Sequence, residues 1–507
     1  MSEKVFLLGA GPGDPGLITE KAASCIAEAD VVIYDYLASK QLLKYARPDA
    51  ELIYVGKKGG DHTLSQEKIN ALLVEKAKSG NKVARLKGGD PFIFGRGGEE
   101  IEELAGAGIE FEVVPGVTSA VAAPAYAGIP LTHRQFASCV TFITGHEDPK
   151  KTDSMINWEA LAQTGGTLVF LMGVKNLPNI VKRLKAAGMR PGTPAALIRW
   201  GTTPSQQTVS GTLETICENV ENARIKPPCI IVIGDVVNLR EKMKWFEKKP
   251  LFGRRIVVTR ARSQASSLVK RLSELGADVV ETPVIEIRPV KNMQPLDEAV
   301  KNISGYDWLV FTSVNGADMF FQRLRANKLD TRALGGIKTA AIGPATADKM
   351  RENGLNADIV PESYRAESVA EAFESLDMSG RKVLLPRAEG ARPVLPEELS
   401  KMGANVDEII SYRAVQAEAG KAELLENLRA GTIDMVTFTS SSTVRNFMAL
   451  LPESEANQLL SGVALAAIGP VSAETASEMG LKTDITAEEY TIDGLVKAVT
   501  QYYSAGF

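Results

Sequence analysis

The stretch Val5-Phe-Leu-Leu-Gly-Ala-Gly-Pro-Gly-Asp-Pro-Gly16 decides the fold: apolar residues of strand character run straight into a turn built from glycine and proline. A strand that ends in residues permitting a sharp reversal is the opening of an α/β layer. Outward from it, VVIY (31–34), LIYVG (52–56), VARL (83–86) and FEVV (111–114) repeat the short, apolar, β-branched pattern, with helix-like stretches between most of them. This alternation predicts α/β layering around a mainly parallel sheet. One helix has a predicted start: Thr63 to Gln66 fits a capping box, and Ile69, Leu72 and Leu73 follow on one face.

The chain has 507 residues, enough for three or four packed units at roughly 100 to 200 residues each. Its 44% hydrophobic and 24% charged residues exclude disorder, collagen and coiled coil. The net charge of -4 provides no global basic field to hold a phosphate backbone, so no nucleic-acid partner is expected. No window approaches the ~18 consecutive apolar residues that span a bilayer, and the first residues pass from charge to turn formers too quickly for a signal peptide. A cytoplasmic protein without a membrane partner is expected. Cys25, Cys139, Cys217 and Cys229 are scattered, and His62, His133 and His146 have no Cys or acidic partners at ligand spacing. Neither a disulfide framework nor a metal site is expected.

Around 241–252 the text EKMKWFEKKPLF loses the strand-helix rhythm and precedes a fresh strand at 254–261, which marks a linker and a domain boundary. Beyond it the chain repeats itself. Phe311-Thr312-Ser313 recurs 127 residues later as Phe438-Thr439-Ser440, as do Arg260-Ala261 at Arg387-Ala388 and Gly276-Ala277 at Gly403-Ala404. Ala340 to Pro344 recurs 126 residues on as Ala466 to Pro470, and Tyr364 as Tyr490. The second half is thus two similar α/β units with a cleft between them, a usual place for a ligand.

In open α/β sheets ligands lie outside the carboxyl ends of the strands. The residues there are Gly9 to Gly16, Asp35, Lys57, Gly88-Gly89-Asp90-Pro91 and Pro115 to Ser119. Gly11-x-Gly13-x-x-Gly16 satisfies the dinucleotide fingerprint literally, but Pro12 and Pro15 lack the N–H groups the fingerprint presents to a pyrophosphate; a tight turn is the equal alternative. Five glycines within residues 88–98 point to backbone approaching a ligand closely. Asp90 suits a ribose hydroxyl or a cation, or else caps a helix; Asp35 is a strand-end cap or a base, and Lys57 a surface charge or a functional one.

GAGPGDPG, ADVVIYD (29–35), YVGK (54–57), LKGGDPFIFGRGGEE, EVVPGVTSA and AYAGIPLTHR together resemble the S-adenosylmethionine-dependent uroporphyrinogen-III C-methyltransferases of the tetrapyrrole methylase superfamily, over about residues 1–240. The resemblance implies two α/β subdomains, about 1–116 and 117–240, with the active site between them, and two methylations of uroporphyrinogen III, at C-2 and C-7, to precorrin-2 for sirohaem or cobalamin. It implies S-adenosyl-L-methionine contacts at Pro12, Gly88, Gly89, Asp90, Ile93, Thr118, Ser119, Met172 and Gly201, and S-adenosyl-L-homocysteine as product. Thr118-Ser119 stands where Thr-Ala is common in the family, a change that leaves the role intact. Asp35 would accept a proton and Lys57 donate one. Methyl transfer to a pyrrole carbon needs positioning, water exclusion and a base rather than a metal. The substrate carries eight carboxylates, so basic groups should face the cleft; Arg85, Arg96 and Arg134 are the candidates. A homodimer through the methyltransferase half is the expected assembly.

In the second half, Thr312-Ser313, Ser440-Ser441-Ser442-Thr443 and Ser472 place hydroxyls after strands, as anion cradles or as ordinary N-caps. A Ser/His/Asp triad is excluded because the histidines all precede residue 147. DWLVFTS, AAIGPATA, VLLPRA, Tyr412-Arg413, VTFTSSSTV and AAIGPVSAETA resemble uroporphyrinogen-III synthase. That resemblance implies two α/β domains joined by paired strands, 253–287 with 414–507 forming one lobe and 288–413 the other. It also implies loss of water from hydroxymethylbilane and closure to uroporphyrinogen III with inversion of ring D. Thr312, Ser313, Ser440, Ser441 and Ser472 would hold substrate carboxylates. Tyr412 matches the family's important tyrosine, a general acid or else a hinge-packing residue.

Two other functions compete. A nicotinamide-dependent dehydrogenase with a two-lobed binding module would use the Gly11 turn, although only Asp30 or Asp35 stands near the ribose-binding spacing. A non-catalytic C-terminal lobe serving the methyltransferase is the other.

Overall fold

The computed structural model describes residues 4–56, 64–146, 155–259, 262–363, 365–417 and 420–504, the side chains of 262–266 excepted. Lys57, Thr63, Arg260, Ala261 and Tyr364, all singled out from the sequence, lie outside the described residues. One unit runs to Arg255 and takes in Arg271–Val279 and the chain from Thr500; the other is Ile256–Lys270 with Val280–Val499.

The first unit holds two sheets. Strands β1 (Lys4–Gly9), β2 (Val31–Tyr34), β3 (Glu51–Tyr54), β4 (Lys82–Lys87) and β5 (Glu110–Val114) form the first, in the order β3-β2-β4-β1-β5. All four of its strand pairings are parallel. Strands buried on both faces must be apolar throughout, which is why they read as unbroken runs. Val5, Leu7, Val31, Ile33 and Val83 pack on one face with Leu73 and Leu104. Phe6, Leu8, Val32, Ala84 and Leu86 pack on the other with Ile26. The helix Gln66–Lys78 has Ser65, not Thr63, as its cap: the Ser65 side chain accepts from the Lys68 N–H.

Strands β6 (Val140–Thr144), β7 (Thr167–Leu171), β8 (Pro194–Arg199), β9 (Gln207–Thr212) and β10 (Cys229–Ile233) form the second sheet, ordered β6-β7-β10-β8-β9. Here only the β6–β7 pair is parallel; β10 runs against both neighbours and β9 against β8. The stretch read as a linker packs against the first unit. Glu247 accepts from Arg240, Gln206 and Thr208 at 2.5, 2.8 and 2.7 Å, Trp245 Nε1 donates to the Ala125 carbonyl, and Phe246 and Leu251 are buried.

The second unit is built on two further sheets. Strands β11 (Arg255–Val258), β12 (Asp278–Glu281), β18 (Met435–Phe438), β19 (Ala464–Ala467) and β20 (Ile485–Thr486) are ordered β12-β11-β18-β19-β20. Between these in sequence, β13 (Ile285–Pro289), β14 (Trp308–Phe311), β15 (Lys338–Ala341), β16 (Lys382–Ala388) and β17 (Asn405–Gln416) are ordered β13-β17-β16-β14-β15. β13 and β17 are antiparallel partners, the paired strands of the expected fold. The sequence repeat has a structural counterpart. Phe311 ends β14 and meets Phe320 edge-on at 5.5 Å; Phe438 ends β18 and meets Phe447 at 5.4 Å.

Candidate active site

Two sheets of the first unit turn strand ends toward a cavity of about 700 Å³, well inside the usual range for small-molecule sites. Pro12, Gly88, Gly89 and Ile93 come to its wall from the first sheet, and Ser119, Met172 and Gly201 from the elements that follow. Asp90 and Thr118 are not in the wall but shape it. Asp90 Oδ1 accepts from the N–H groups of Phe92 and Ile93, and its Oδ2 accepts from Gly116 N–H at 3.0 Å. Thr118 caps the helix Ser119–Tyr126 through the Ala120 N–H.

The glycine loop has a different cause from the one its composition suggests. A Cβ at Gly88 would stand 2.6 Å from Leu37 Cβ, and at Gly95 or Gly97 it would meet the Pro91 carbonyl oxygen at 2.6 or 2.5 Å. Most of the glycines are therefore demanded by the chain folding on itself. The strain lies in neighbours that are not glycine: Phe94, Met172 and Trp200, all in the wall, have φ of 53°, 59° and 47°. Left-handed backbone at such residues costs of order 1–3 kcal/mol each and collects at working sites.

The Gly11 turn does not open an α-helix as a dinucleotide cradle must. It leads into a three-residue 3₁₀ turn, Pro15–Leu17, capped by Asp14. Asp14 also ties this loop to the second sheet's side, donating its N–H to Thr202 Oγ1 and accepting 2.7 Å from the Tyr126 hydroxyl. Burial and that carboxylate push the Tyr126 phenol far above its usual range.

Asp35 stands at the end of β2, just before Tyr36 to Lys40 of the wall. Its Oδ1 accepts 2.7 Å from Arg85 Nη2, and its side chain is 28% exposed. Arg85 is buried on Asp35 and Glu100, so it is not free to take substrate carboxylates. Arg96 pairs with Glu99 at 2.6 Å, and neither it nor the exposed Arg134 is in the wall. The basic wall residues are instead Lys40, Lys175 and His146, and among the described residues no carboxylate lines the cavity. Sequence reasoning missed all three. His146 and Lys175 follow the ends of β6 and β7, so applying the strand-end rule to the second sheet would have found them.

In the second unit, Ser313 caps the helix Val314–Ala326 by accepting from Gly316 N–H at 2.9 Å, and shares a 2.8 Å hydrogen bond with the Tyr412 hydroxyl. Tyr412 is 6% exposed, and burial holds its phenol above the ordinary range against the opposing hydrogen bonds of Ser313 and Asn315. Ser440 caps the helix Ser441–Leu450 in a capping box with Thr443. Ser441 accepts from Thr475 at 2.9 Å, and Ser472 is buried. Thr312 is half-buried beside Ser313. Ser313 and Ser440 are thus helix caps at strand ends.

Among the described residues no group of three His, Cys, Asp or Glu side chains is placed to hold a metal, and no helix is long and apolar enough to cross a membrane.

Residues 4–217 match the family of Tetrapyrrole (Corrin/Porphyrin) Methylases, and residues 266–497 match Uroporphyrinogen-III synthase HemD. The porphyrin biosynthesis protein HemD of Ruminiclostridium josui is 40% identical over 492 residues, 97% of this chain and 96% of its own length. The chain belongs to the fused tetrapyrrole methylases and uroporphyrinogen-III synthases. The uroporphyrinogen-III C-methyltransferase of Bacillus subtilis is 45% identical over 71% of this chain and 74% of its own length. The S-adenosyl-L-methionine-dependent uroporphyrinogen III methyltransferase of Methanosarcina barkeri is 54% identical over 47% of this chain and 93% of its own length. The chain is accordingly a bifunctional tetrapyrrole biosynthesis enzyme with a methyltransferase half and a synthase half. This displaces both the dehydrogenase reading and that of an inert C-terminal lobe.

Proposed function

We propose that the synthase half closes hydroxymethylbilane to uroporphyrinogen III with loss of water and inversion of ring D, and that the methylase half then methylates C-2 and C-7 to give precorrin-2. The observation that carries the methylase part is the cavity wall, which among the described residues includes Lys40, Lys175 and His146 and no carboxylate. In a chain of net charge -4, the lysines Lys40 and Lys175 in the wall suit a polyanionic substrate, because local fields govern binding.

S-adenosyl-L-methionine supplies the electrophilic methyl when bound. The wall fits it: Gly88 and Gly89 bring backbone to it after β4 and Gly201 after β8, and Ile93 and Met172 offer apolar contact to a flat ring system. Apolar walls exclude water from the reacting centre. Asp35, next to the wall and partly exposed, takes the proton the macrocycle loses as the new carbon-carbon bond forms. Lys57 is the proton donor by resemblance.

In the synthase half the substrate ionises readily, so the protein's task is to hold the bilane in the geometry that leads through the spiro route. Tyr412 stays protonated and is oriented by Ser313, which suits donation to the departing hydroxyl. We assign 1–240 to the methylase and 253–507 to the synthase, with Thr312, Ser313, Ser440, Ser441 and Ser472 receiving carboxylates. The proposal includes a homodimer through the methylase half and a cytoplasmic location, to be tested by size exclusion and fractionation.

The decisive variant is Asp35→Asn, followed by parallel assays of methylation and cyclisation. Methylation should fall about 10² or more, the usual scale for a positioned base, with cyclisation unchanged. Equal loss of both would contradict separate sites.

A further inference from the structure

The first sheet changes character along β4. On the face that packs Leu73 and Leu104, the strand presents Val83, then Arg85, then Lys87, since alternate residues share a face. An apolar core thus turns ionic where the strand reaches the cavity. Arg85 is 2% exposed, Lys87 4% and Glu100 0%, and buried charges of this kind persist only when paired. They are paired through a single atom. Glu100 Oε1 accepts from Lys87 Nζ at 2.6 Å, from Arg85 Nη2 at 3.2 Å and Nε at 3.3 Å, and from Gln66 Nε2 at 3.1 Å. Glu100 Oε2 is buried with no hydrogen-bond partner. The same Arg85 Nη2 reaches Asp35 at 2.7 Å.

Three features make this more than a stabilising pair. Glu100 sits in the first turn of the helix Gly97–Gly106, where a carboxylate is favoured by the helix dipole and its position is fixed. The Asp35 backbone is also pinned to β4, its N–H donating to the Leu86 carbonyl. And the chain of contacts emerges beside the cavity at Asp35, whose side chain is 28% exposed against 2% for Arg85. We infer that Glu100 is a positioning residue for methyl transfer, locking the Arg85 guanidinium, with Lys87 as counter-charge, so that Arg85 holds the Asp35 carboxylate in one orientation beside the cavity. This rests on the reading of Asp35 as the proton acceptor.

The test is a double-mutant cycle in the full chain, with Asp35→Asn, Glu100→Gln and the combination assayed for uroporphyrinogen III methylation. Substrate KM, S-adenosylhomocysteine affinity and the cyclisation rate are measured alongside. Glu100→Gln should lower kcat at least tenfold, with KM and S-adenosylhomocysteine affinity within twofold and cyclisation unchanged. The double variant should be no slower than Asp35→Asn alone, because both remove one function. A purely structural Glu100 would instead lower folded yield and cofactor affinity and multiply the Asp35→Asn loss; that result, or full kcat, overturns the inference. If Glu100→Gln does not fold, Arg85→Lys, which keeps the charge but cannot bridge two carboxylates, carries the same expectations. Unimpaired methylation by Asp35→Asn would remove the acceptor reading itself, a separate outcome from an impaired Asp35→Asn with a harmless Glu100→Gln.

Discussion

Tyr412 shows how much one buried side chain can be asked to do. Its hydroxyl has a partner at 2.8 Å in Ser313, and burial keeps it protonated past the pH at which an exposed tyrosine ionises. Tyr412→Phe should slow cyclisation about 10², the scale of a single general acid, and leave methylation alone; paired rate assays check this. The sign of the pH effect follows from linkage. The unfolded chain gives up this proton near the ordinary value of 10.0, while the folded chain retains it. Stability contributed by the group is therefore present below pH 10 and declines as pH rises above it. Urea midpoints across pH 9 to 11 should fall less in Tyr412→Phe than in the parent. Cys229 makes a contrasting case in the methylase cavity. Burial pushes its thiol up to about 12, so iodoacetamide at pH 8 should leave it unmodified, as peptide mass mapping would show; thiolate is the reactive form.

At the scale of elements, the helices that follow β14 and β18 each start on a capping serine. Ser440→Ala removes a cap worth about 1 kcal/mol, and its cost should appear as a lower chemical-denaturation midpoint. If the hydroxyl also receives a carboxylate, KM for hydroxymethylbilane rises as well. Gly88→Ala tests the β4 loop: the new Cβ would overlap Leu37 at 2.6 Å. Overpacking of this sort costs typically 1–3 kcal/mol. Because Leu37 is itself in the cavity wall, S-adenosylhomocysteine affinity should drop about tenfold by calorimetric titration. The strands were legible in the sequence because parallel strands buried on both faces are apolar without interruption, as in β14 and β18. Cap positions were less legible: Thr63 and Ser65 both offer hydroxyls, and only backbone geometry chose Ser65. The loop at 88–97 does line the cavity, but why each glycine is there was not legible, since glycine forced by neighbouring backbone and glycine opened for a ligand look identical as letters.

Over the whole molecule, the repeat at 127 residues was readable because each lobe needs the same phenylalanine pair and the same capping serine. Much of the candidate site could be reached from the strand-end rule, as Asp35 and Gly88 illustrate, whereas Met172 came from the family resemblance alone. The basic wall could not be reached that way from the first sheet alone, because Lys175 and His146 are contributed by the second. Nor was Arg85 legible as an internal ion-pair partner; an arginine near the end of a strand reads equally well as a ligand contact. The packing of the segment at 241–252, charged and proline-bearing, was not legible, because its Trp245 and Phe246 find partners far back in the chain, Tyr126 among them. Chain separation of that size hides a contact from any local pattern. The most direct measurement supplies pure protein with hydroxymethylbilane and S-adenosylmethionine alone, and follows products by absorbance and by isomer analysis after oxidation. The account predicts type III isomer and a dimethylated dipyrrocorphin chromophore without added metal or nicotinamide. Only type I uroporphyrin, with no methylated product while both substrates remain intact at the start, would contradict it.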